Sequence, residues 1–485
     1  MNKKNILIIG GGMAGLTTAA YLIRAGFAVQ VFEQSSLPGG YVSSFVRKGF
    51  TFPCGPTSFG SNGIIFPILK ELGLEEKQQF VRIRHQISWD KNDISLMNPA
   101  QTCHDLKKYF PGESRALKRY FRWIKIGGAA FYDSLKSGMM FGKDVFKAIL
   151  QLSFRHPLSF WAFYVANKNT NRSLHEHYFK DVFLKQLLNQ LGYPVMAGKN
   201  TLGMWASYYY DSWVPLGGMQ SLADLFVHFI QENGGVVHLE KRIHRIRIEN
   251  GQATGLELLN EEFIPADWVV SAVDLTQTCF ELIGRDHLLQ TMVKKLEKAQ
   301  PSESLFSVFL GLRDSIELSS TLNRFHESHV VFTCADGKYI KLVLLSKDDP
   351  SVAPTGKHCL VISFLSPFEE WEMFKGNLQA YRTKKAAFAI ELISRAEELL
   401  PGLRSHIEVQ EVASPLTYER YTSNWRGSTS GWNWNPTNTP HFDFAKDLPI
   451  KHFYPVGHYV SNPGGVPTAM ITAWYISKAI MDQVE

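Results

Sequence analysis

The stretch that decides the fold is residues 5–15, Asn-Ile-Leu-Ile-Ile-Gly-Gly-Gly-Met-Ala-Gly. Its first half is a short, largely apolar run rich in isoleucine, typical of a parallel strand that is covered on both faces. Gly10, Gly12 and Gly15 then have the G-x-G-x-x-G spacing. In this pattern the first glycine permits a tight turn, the second lets the backbone approach a pyrophosphate, and the third lets a helix pack closely. The stretch therefore predicts a strand, a phosphate-binding loop and a helix.

The next residues complete a dinucleotide-binding unit. Ala14–Ala25 predicts a helix that ends at Gly26, and Phe27–Phe32 predicts a second strand. Glu33 ends that strand, near the spacing of about 20 residues at which a carboxylate binds a ribose hydroxyl. A chance glycine run before an ordinary helix is the alternative, and the complete strand-turn-helix-strand-acid order argues against it. Because a carboxylate disfavours a 2′-phosphate, FAD or NAD is favoured over NADP.

A second glycine loop, Leu37-Pro38-Gly39-Gly40, directly follows this unit. Alone it would be an ordinary turn. Together with the preceding unit it resembles the N-terminal segment of the phytoene desaturase and carotenoid isomerase family, a branch of the amine oxidase-like flavoproteins. Members of that family bind FAD through this segment, so the resemblance implies FAD as the cofactor.

Three further segments carry the resemblance. Gly49–Thr57 is similar to the family segment that lies against the isoalloxazine ring, although Pro53 stands where an aspartate is usual. Trp213–Leu222 resembles the segment that returns the chain to the cofactor domain. Phe453–His458, followed by Asn462–Pro467 and a helix from about Thr468, resembles the closing flavin motif. A glycine-rich junction and a helix N-terminus suit the presentation of backbone amides to a flavin.

The chain between these segments gives its own structural signals. Apolar residues at three- and four-residue intervals from Met219 to Ile230 predict a helix that ends at Gly234-Gly235. Strands are expected at about Val236–Leu239 and Arg242–Ile248, with Asn250-Gly251 as a tight turn. By resemblance, Trp268–Val273 is the strand that returns beneath the cofactor.

The resemblance implies a set of FAD contacts, and two of them depart from the family pattern. His458 stands where many desaturases have aspartate, and Tyr41 where many have arginine, which leans toward the isomerase and saturase-like branches. No catalytic side chain and no metal ligand is assigned. The expected contacts are Gly10, Gly12, Met13, Ala14, Gly15, Glu33, Gln34, Gly39, Gly40, Tyr41, Gly55, Pro56, Thr57, Ile243 at the adenine, Gly457, His458, Gly465, Val466 and Pro467.

Composition excludes several other classes of protein. The chain has 485 residues, of which 45% are hydrophobic and 20% charged, so general disorder is excluded. A net charge of +6 does not indicate nucleic acid. The 5 cysteines are widely separated and form no C-x-x-C pair, which indicates a reducing compartment and no zinc site. No apolar run reaches the roughly 18 residues of a spanning helix.

Two segments favour contact with a membrane surface. Between Asp105 and Lys125, basic residues outnumber acidic ones and alternate with apolar residues, as in a basic amphipathic helix on anionic lipid. For this segment an ordinary solvated helix is the preferred interpretation, because short basic helices are common. Ala148–Ala166 adds aromatic residues that could dip into a bilayer or line the mouth of an apolar tunnel. We therefore expect a cytoplasmic protein, peripheral to the inner face of the membrane.

These observations predict an α/β Rossmann-type FAD-binding domain, an inserted mixed α+β substrate domain, and a helical subdomain expected to contact the membrane. The FAD-binding domain should comprise residues 1–75, 215–285 and 441–485. Residues 76–100, 191–214 and 286–440 should form the substrate domain, and residues 101–190 the helical lid.

By resemblance the protein is an FAD-dependent oxidoreductase of an elongated apolar isoprenoid or polyene, most simply a carotenoid-type desaturase that transfers hydride to flavin N5. The electron acceptor would be oxygen or a quinone. Alternatives are a reduced-flavin polyene cis-trans isomerase or saturase, an amine oxidase-like enzyme, and a non-enzymatic lipid or prenyl chaperone. Glu419 and Arg420 lie in a segment similar to one beside the family's substrate cavity, or form an internal ion pair.

Overall fold

The computed structural model describes residues 3–137, 145–192, 195–435 and 441–484. The strands, in chain order, are β1 (Asn5–Ile9), β2 (Ala28–Phe32), β3 (Ser44–Arg47), β4 (Phe50–Pro53), β5 (Phe80–Arg82), β6 (His85–Trp89), β7 (Asn92–Ser95), β8 (Trp213–Pro215), β9 (Val236–His238), β10 (Ile243–Glu249), β11 (Gln252–Leu258), β12 (Phe263–Pro265), β13 (Trp268–Ser271), β14 (Ser304–Arg313), β15 (His329–Thr333), β16 (Tyr339–Leu344), β17 (Lys357–Ser366), β18 (Ile407–Ala413) and β19 (Phe453–Pro455).

The α-helices are α1 (Met13–Arg24), α2 (Ile65–Leu72), α3 (Pro99–Tyr109), α4 (Ser114–Ser137), α5 (Val145–Arg155), α6 (Pro157–Ala166), α7 (Asn171–Tyr178), α8 (Val182–Asn189), α9 (Gly198–Tyr210), α10 (Gln220–Glu232), α11 (Leu275–Gln277), α12 (Gln290–Lys298), α13 (Ile316–Leu322), α14 (Leu345–Asp348), α15 (Glu369–Glu372), α16 (Leu378–Leu399), α17 (Pro415–Thr422), α18 (Phe444–Asp447) and α19 (Val466–Met481). The predicted strand at Asn5–Ile9 is confirmed, and the predicted helix after it is confirmed with bounds shifted by one residue.

A five-stranded parallel sheet, the nucleotide sheet, has the order β19-β13-β1-β2-β9. Its central strand is buried on both faces. Ile6 and Ile8 pack with α1, α10 and α19 on one face, whereas Leu7 and Ile9 pack toward β10, β11 and α12 on the other. Because both faces are covered, the strand is apolar from Ile6 to Ile9. The sheet brings together strands from the beginning, middle and end of the chain.

A mixed seven-stranded sheet has the order β18-β14-β17-β16-β15-β6-β7. One face packs on the long helix α16, through residues such as Leu342, Ile362 and Leu392. We call the opposite face the inner face. There the segment around Phe50 and Phe52 packs on β14, β16 and β17, and the helices α3, α4, α6, α8 and α9 share a hydrophobic cluster with β6 and β15. The inner face therefore adjoins the chain that leads out of the nucleotide-binding unit.

The helices α3, α4, α6, α8 and α9 share one hydrophobic cluster. Leu202 and Trp205 of α9 are fully buried there, beside Leu117 and Phe121 of α4. Helix α9 lies within residues 191–214, for which the sequence predicts a place in the substrate domain. The cluster that it shares with α4 also contains Ile87 and Trp89 of β6 and Val331 of β15, so the cluster joins these helices to the seven-stranded sheet.

The segment from Asp105 to Lys125 is not one amphipathic helix on the surface. Helix α3 ends at Tyr109 and α4 begins at Ser114, because Pro111 cannot continue the helix. Leu106, Leu117 and Phe121 point into the helical cluster. The segment therefore forms two ordinary helices whose apolar residues stabilise the protein core, which agrees with the ordinary helix that the sequence favours.

The exposed apolar residues lie in α5 and α6 instead. Phe154 is 79% exposed, and Leu158, Trp161 and Tyr164 are each 64% exposed. The break at His156-Pro157 that separates the two helices was expected from the sequence. Within the described ranges, no helix combines the length and the apolar character needed to cross a bilayer.

Candidate active site

The three fingerprint glycines have three different surroundings. Gly10 has a φ of 97°, which favours glycine, and it forms the turn after β1. A Cβ on Gly15 would lie 2.0 Å from the carbonyl oxygen of Gly10, so helix α1 packs too closely on the loop for any side chain. A Cβ on Gly12 would meet nothing within 4 Å. The open side of Gly12, at the N-terminus of α1, is therefore available to a phosphate.

Glu33 is held against this loop. Its carboxylate is 7% exposed. Oε2 accepts the Gly11 N–H at 2.7 Å, and Oε1 accepts the Ser35 N–H at 2.8 Å. These bonds place a negative charge beside the fingerprint, where a ribose hydroxyl would donate to it.

The chain on the far side of Glu33 leads to the predicted adenine contact. The Lys241 N–H donates to the Glu33 carbonyl at 2.8 Å, and β10 begins two residues later at Ile243. The neighbouring Gln34 is half-buried and donates from Nε2 to the Ser423 hydroxyl at 3.0 Å. Glu33, Gln34 and Ile243 are thus brought to one end of the fingerprint loop.

The second glycine loop packs on the first. The Gly39 N–H donates to the Gly11 carbonyl at 2.7 Å. A Cβ on Gly40 would lie 3.4 Å from the Gly12 Cα. Gly39 and Gly40 both have positive φ, at 112° and 57°. The two loops therefore form one backbone surface, and glycine is required where they touch.

Tyr41 anchors this surface to a distant segment. Its hydroxyl donates to the Gly427 and Ser428 carbonyls at 3.2 and 3.0 Å. Burial raises the pKa of Tyr41 well above its usual range, so the hydroxyl stays neutral. A Cβ on Gly55 would lie 2.5 Å from the Tyr41 ring. Tyr41 thus brings the Gly55-Pro56-Thr57 segment against the glycine loops, a structural role that a guanidinium would not fill in the same way.

The closing motif also meets the first loop. A Cβ on Gly457, whose φ is 115°, would lie 3.6 Å from the Ala14 Cβ. The Gly457 N–H donates to the Thr472 hydroxyl of α19 at 3.0 Å. Helix α19 begins at Val466 with Pro467 in its first turn, and no side chain caps it at Gly465. Its first amides are therefore free to bind an acceptor of the cofactor.

His458 occupies the same junction as a neutral group. A Cβ on Gly431 would lie 2.5 Å from the His458 carbonyl oxygen, which explains the glycine there. Burial lowers the pKa of His458 to about 4. At neutral pH the ring is uncharged, so it supplies neither the carboxylate usual in desaturases nor a positive charge.

A small cavity lies between the Pro53–Thr57 segment, the turn at Gly218-Met219 and β15. Two of its polar groups, His329 and Asp348, were not found from the sequence. Within the described chain, His329 Nε2 and Asp348 Oδ2 are buried without a hydrogen-bond partner. Burial lowers the pKa of His329 to about 3 and raises that of Asp348.

The predicted pairing of Glu419 with Arg420 is wrong. Glu419 pairs with Lys375, at 2.8 Å between Nζ and Oε2, while the Arg420 guanidinium lies over the Tyr421 ring at 4.6 Å. The partner of the Glu419 carboxylate thus comes from the segment between α15 and α16 and not from its own helix. Among the described residues, no cluster of histidine, cysteine and carboxylate side chains could hold a metal ion.

These residues fit a dinucleotide cofactor. The open side of Gly12, the carboxylate of Glu33 and the uncapped N-terminus of α19 lie on one connected surface, and they match the phosphate, ribose and flavin ends of FAD. Such a site on a parallel sheet defines an FAD-dependent oxidoreductase. The chain belongs to the family of flavin containing amine oxidoreductases, which matches residues 13–481.

Three curated relatives align with most of the chain. It is 25% identical to the 4,4'-diapolycopene oxygenase of Methylomonas sp, over 100% of this chain and 99% of that protein. It is 23% identical to the 4,4'-diapophytoene desaturase (4,4'-diapolycopene-forming) of Methylomonas sp, over 99% and 95%. It is 26% identical to the chloroplastic prolycopene isomerase of Daucus carota, over 87% and 71%. The chain thus resembles proteins of the predicted family.

Solved structures support the fold. An oxidoreductase from Methanosarcina mazei superposes with a TM-score of 0.63 at 18% identity, covering 98% of this chain and 100% of that one. A putrescine oxidase bound to putrescine superposes with a TM-score of 0.63 at 12% identity, covering 99% of each chain. At these identities the likeness shows that the α/β fold is shared, and nothing about the substrate.

Proposed function

We propose that the protein oxidises an elongated polyene of the isoprenoid type and introduces a new carbon–carbon double bond. The observation that carries the proposal is the near full-length similarity to a carotenoid desaturase and a carotenoid oxygenase. The cofactor surface supports it, because its glycine loops, Glu33 and the start of α19 suit bound FAD. When bound, FAD would supply a two-electron acceptor.

The protein's own residues would hold the cofactor and exclude water from the site of reaction. The fingerprint amides and the N-terminus of α19 would bind phosphate and flavin acceptors, and Glu33 would orient the ribose. The Pro53–Thr57 segment would lie between the flavin and the cavity beside His329. Apolar side chains of β14, β15 and β17 on the inner face would exclude water from a hydrocarbon substrate.

The test is a single turnover without oxygen. The protein is loaded with FAD and mixed with 4,4'-diapophytoene in liposomes, and the flavin absorbance and the products are followed together. Desaturation predicts bleaching of the flavin and a product with two fewer hydrogens. Unchanged flavin absorbance with every acyclic polyene tried would contradict the proposal.

Other outcomes identify the rival activities. Isomer change that requires pre-reduced flavin indicates an isomerase, and incorporation of oxygen when air is admitted indicates an oxygenase. Peroxide release from amines indicates an amine oxidase. Reoxidation of the bleached protein by oxygen or by a soluble quinone then distinguishes the two proposed electron acceptors.

We also propose that α5 and α6 bind the surface of an anionic membrane. Leu158, Trp161 and Val165 recur at three- and four-residue intervals along α6, Phe154 lies near the end of α5, and all four are exposed. Residues 145–166 contain basic side chains and no acidic one. An apolar stripe beside positive charge is complementary to anionic lipid.

Liposome flotation tests this surface. The double variant Phe154→Ser/Trp161→Ser should lose binding to phosphatidylglycerol vesicles at low salt. The control is Met373→Ser, which removes a methionine that is 77% exposed elsewhere on the protein. If the wild type does not bind these vesicles, or if the double variant binds as well as the wild type, the membrane proposal is wrong. Binding would support, as a further proposal, a position at the inner face of the cytoplasmic membrane.

A further inference from the structure

A polar row crosses the inner face of the seven-stranded sheet. Strand register places Ser307 opposite Ser363, Ser363 opposite Lys341, and Lys341 opposite Val331. Alternate residues of β16 pack with α16 on the other face. Because side chains alternate along a strand, Lys341 points into the inner face.

Lys341 is an exposed residue on the inner face of the sheet. The protein around its amine nevertheless lowers the pKa of that amine by desolvation. Within the described ranges, the amine makes no hydrogen bond or ion pair.

Among the residues that the structure describes, Glu303 is the carboxylate that acts on this amine. Glu303 stands just before β14 and is an exposed residue. The protein around its carboxyl group nevertheless raises the pKa of that group by desolvation. Its charge favours the protonated form of Lys341. The other titratable groups that interact with Lys341 are His329 and His85, and burial lowers the pKa of both, so they are neutral near pH 7.

Both ends of the polar row contact residues of the cofactor surface. At one end, the Tyr418 hydroxyl donates to Ser307 Oγ at 2.8 Å, and the Tyr418 ring lies 5.9 Å from that of Tyr41. At the other end, His329 is the diagonal neighbour of Lys341 on β15 and shares a cavity with Thr57. Lys341 therefore lies between two elements assigned to the flavin.

We propose that Lys341 is the base that accepts the substrate proton in the oxidation proposed above. The lone pair of Nζ would take a proton from one substrate carbon, and the electrons of that C–H bond would form the new double bond. The adjacent carbon would release its hydrogen with both electrons to the oxidised flavin. The substrate would thus lose two electrons, for which bound FAD would be the acceptor, and Lys341 would become an ammonium that the charge of Glu303 stabilises.

This inference rests on the proposed function, and three variants test it. Lys341→Met removes the base, and Lys341→Arg keeps a positive charge that cannot be deprotonated. Lys338→Met is the control, because Lys338 is an exposed lysine three residues away at the start of the same hairpin strand. All are compared with the wild type by the rate of flavin bleaching in a single turnover from pH 6 to 10.

The wild type and the Lys338 variant should react faster as the pH rises, with a midpoint below the ordinary lysine value. Both Lys341 variants should lose this increase of rate with pH, and they should react at least about 100-fold more slowly, as is typical when a general base is removed. If Lys341→Arg keeps the rate, or if the increase of rate with pH persists in both variants, Lys341 is not the base.

A second readout does not depend on turnover. Reductive methylation with ¹³C-formaldehyde labels the lysines of the FAD-loaded protein, and the Lys341 signal is identified by its absence in the Lys341→Arg variant. It should titrate at lower pH than the Lys338 signal, and equal midpoints would overturn the inference. If no polyene bleaches the flavin of the wild type, the proposed function is wrong. If the wild type reacts and the Lys341 variants react equally fast, only the role of Lys341 as the base is refuted.

Discussion

Replacing Gly15 and Gly12 separately by alanine should give opposite results, although both belong to one fingerprint. A Cβ at position 15 would lie 2.0 Å from the Gly10 carbonyl oxygen, so helix and loop must separate by roughly 1.4 Å to reach ordinary contact. Overpacking of this kind costs about 1–3 kcal/mol, and the upper end applies because backbone has to move. A Cβ at position 12 meets nothing, and the φ of −74° there suits alanine.

The FAD-free proteins are therefore expected to differ in urea unfolding. Gly15→Ala should unfold at lower urea, with a loss of about 3 kcal/mol, whereas Gly12→Ala should match the wild type or gain roughly 0.4–1 kcal/mol through the unfolded chain. In titrations that follow quenching of flavin fluorescence, Gly12→Ala should bind FAD at least about tenfold more weakly, equivalent to about 1.4 kcal/mol. A Gly12→Ala protein that binds FAD normally, or a Gly15→Ala protein of unchanged stability, would refute the assignment of roles.

Two further predictions concern buried polar groups. Glu33→Gln puts an amide N–H where two backbone N–H groups now donate to a carboxylate. The FAD-free protein should therefore lose about 1–3 kcal/mol of unfolding free energy in urea, and the FAD dissociation constant should rise. An unchanged unfolding free energy together with an unchanged dissociation constant would contradict this prediction. His175 is fully buried, with a pKa lowered from 6.5 to about 4 by burial, so the unfolded chain binds a proton first as the pH falls. Stability should decrease from about pH 6.5 down to about pH 4, by about 2 kcal/mol between pH 7 and 5, and urea midpoints should show a smaller acid loss in His175→Gln; equal losses would disprove the role of His175.

The nucleotide-binding unit could be predicted because its signals are local. The strand at Asn5–Ile9, the helix after it and the turn at Asn250-Gly251 each depend on neighbouring residues, and the structure has them within one or two positions. The glycine roles could also be inferred, because a positive φ or a close contact demands glycine whatever the rest of the chain does. The terminal helix began two residues earlier than expected, since Pro467 fits the first turn and does not delay it.

The groups on the inner face could not be predicted, because they depend on contacts between distant strands. His329 and Lys341 lie in strands whose other residues are mostly apolar, and in the sequence they look like ordinary strand residues. Only the pairing of β14, β17, β16 and β15 brings Ser307, Ser363 and Lys341 into one row. The sequence left two interpretations of the basic segment at Asp105–Lys125 for a related reason: an apolar stripe on a helix shows that it packs, but not on which partner.

The two departures from the family pattern have one electrostatic consequence. Where many desaturases have an arginine and an aspartate, this chain has Tyr41, whose hydroxyl is bound to backbone carbonyls, and His458, whose ring is neutral. One positive and one negative charge are thus absent together, so the local net charge is kept. Neutralisation of the FAD pyrophosphate must then depend more on backbone amides at Gly12 and on the N-termini of α1 and α19. Because amides within a folded helix are screened by salt less than an exposed side chain is, FAD affinity in this protein should depend only weakly on ionic strength.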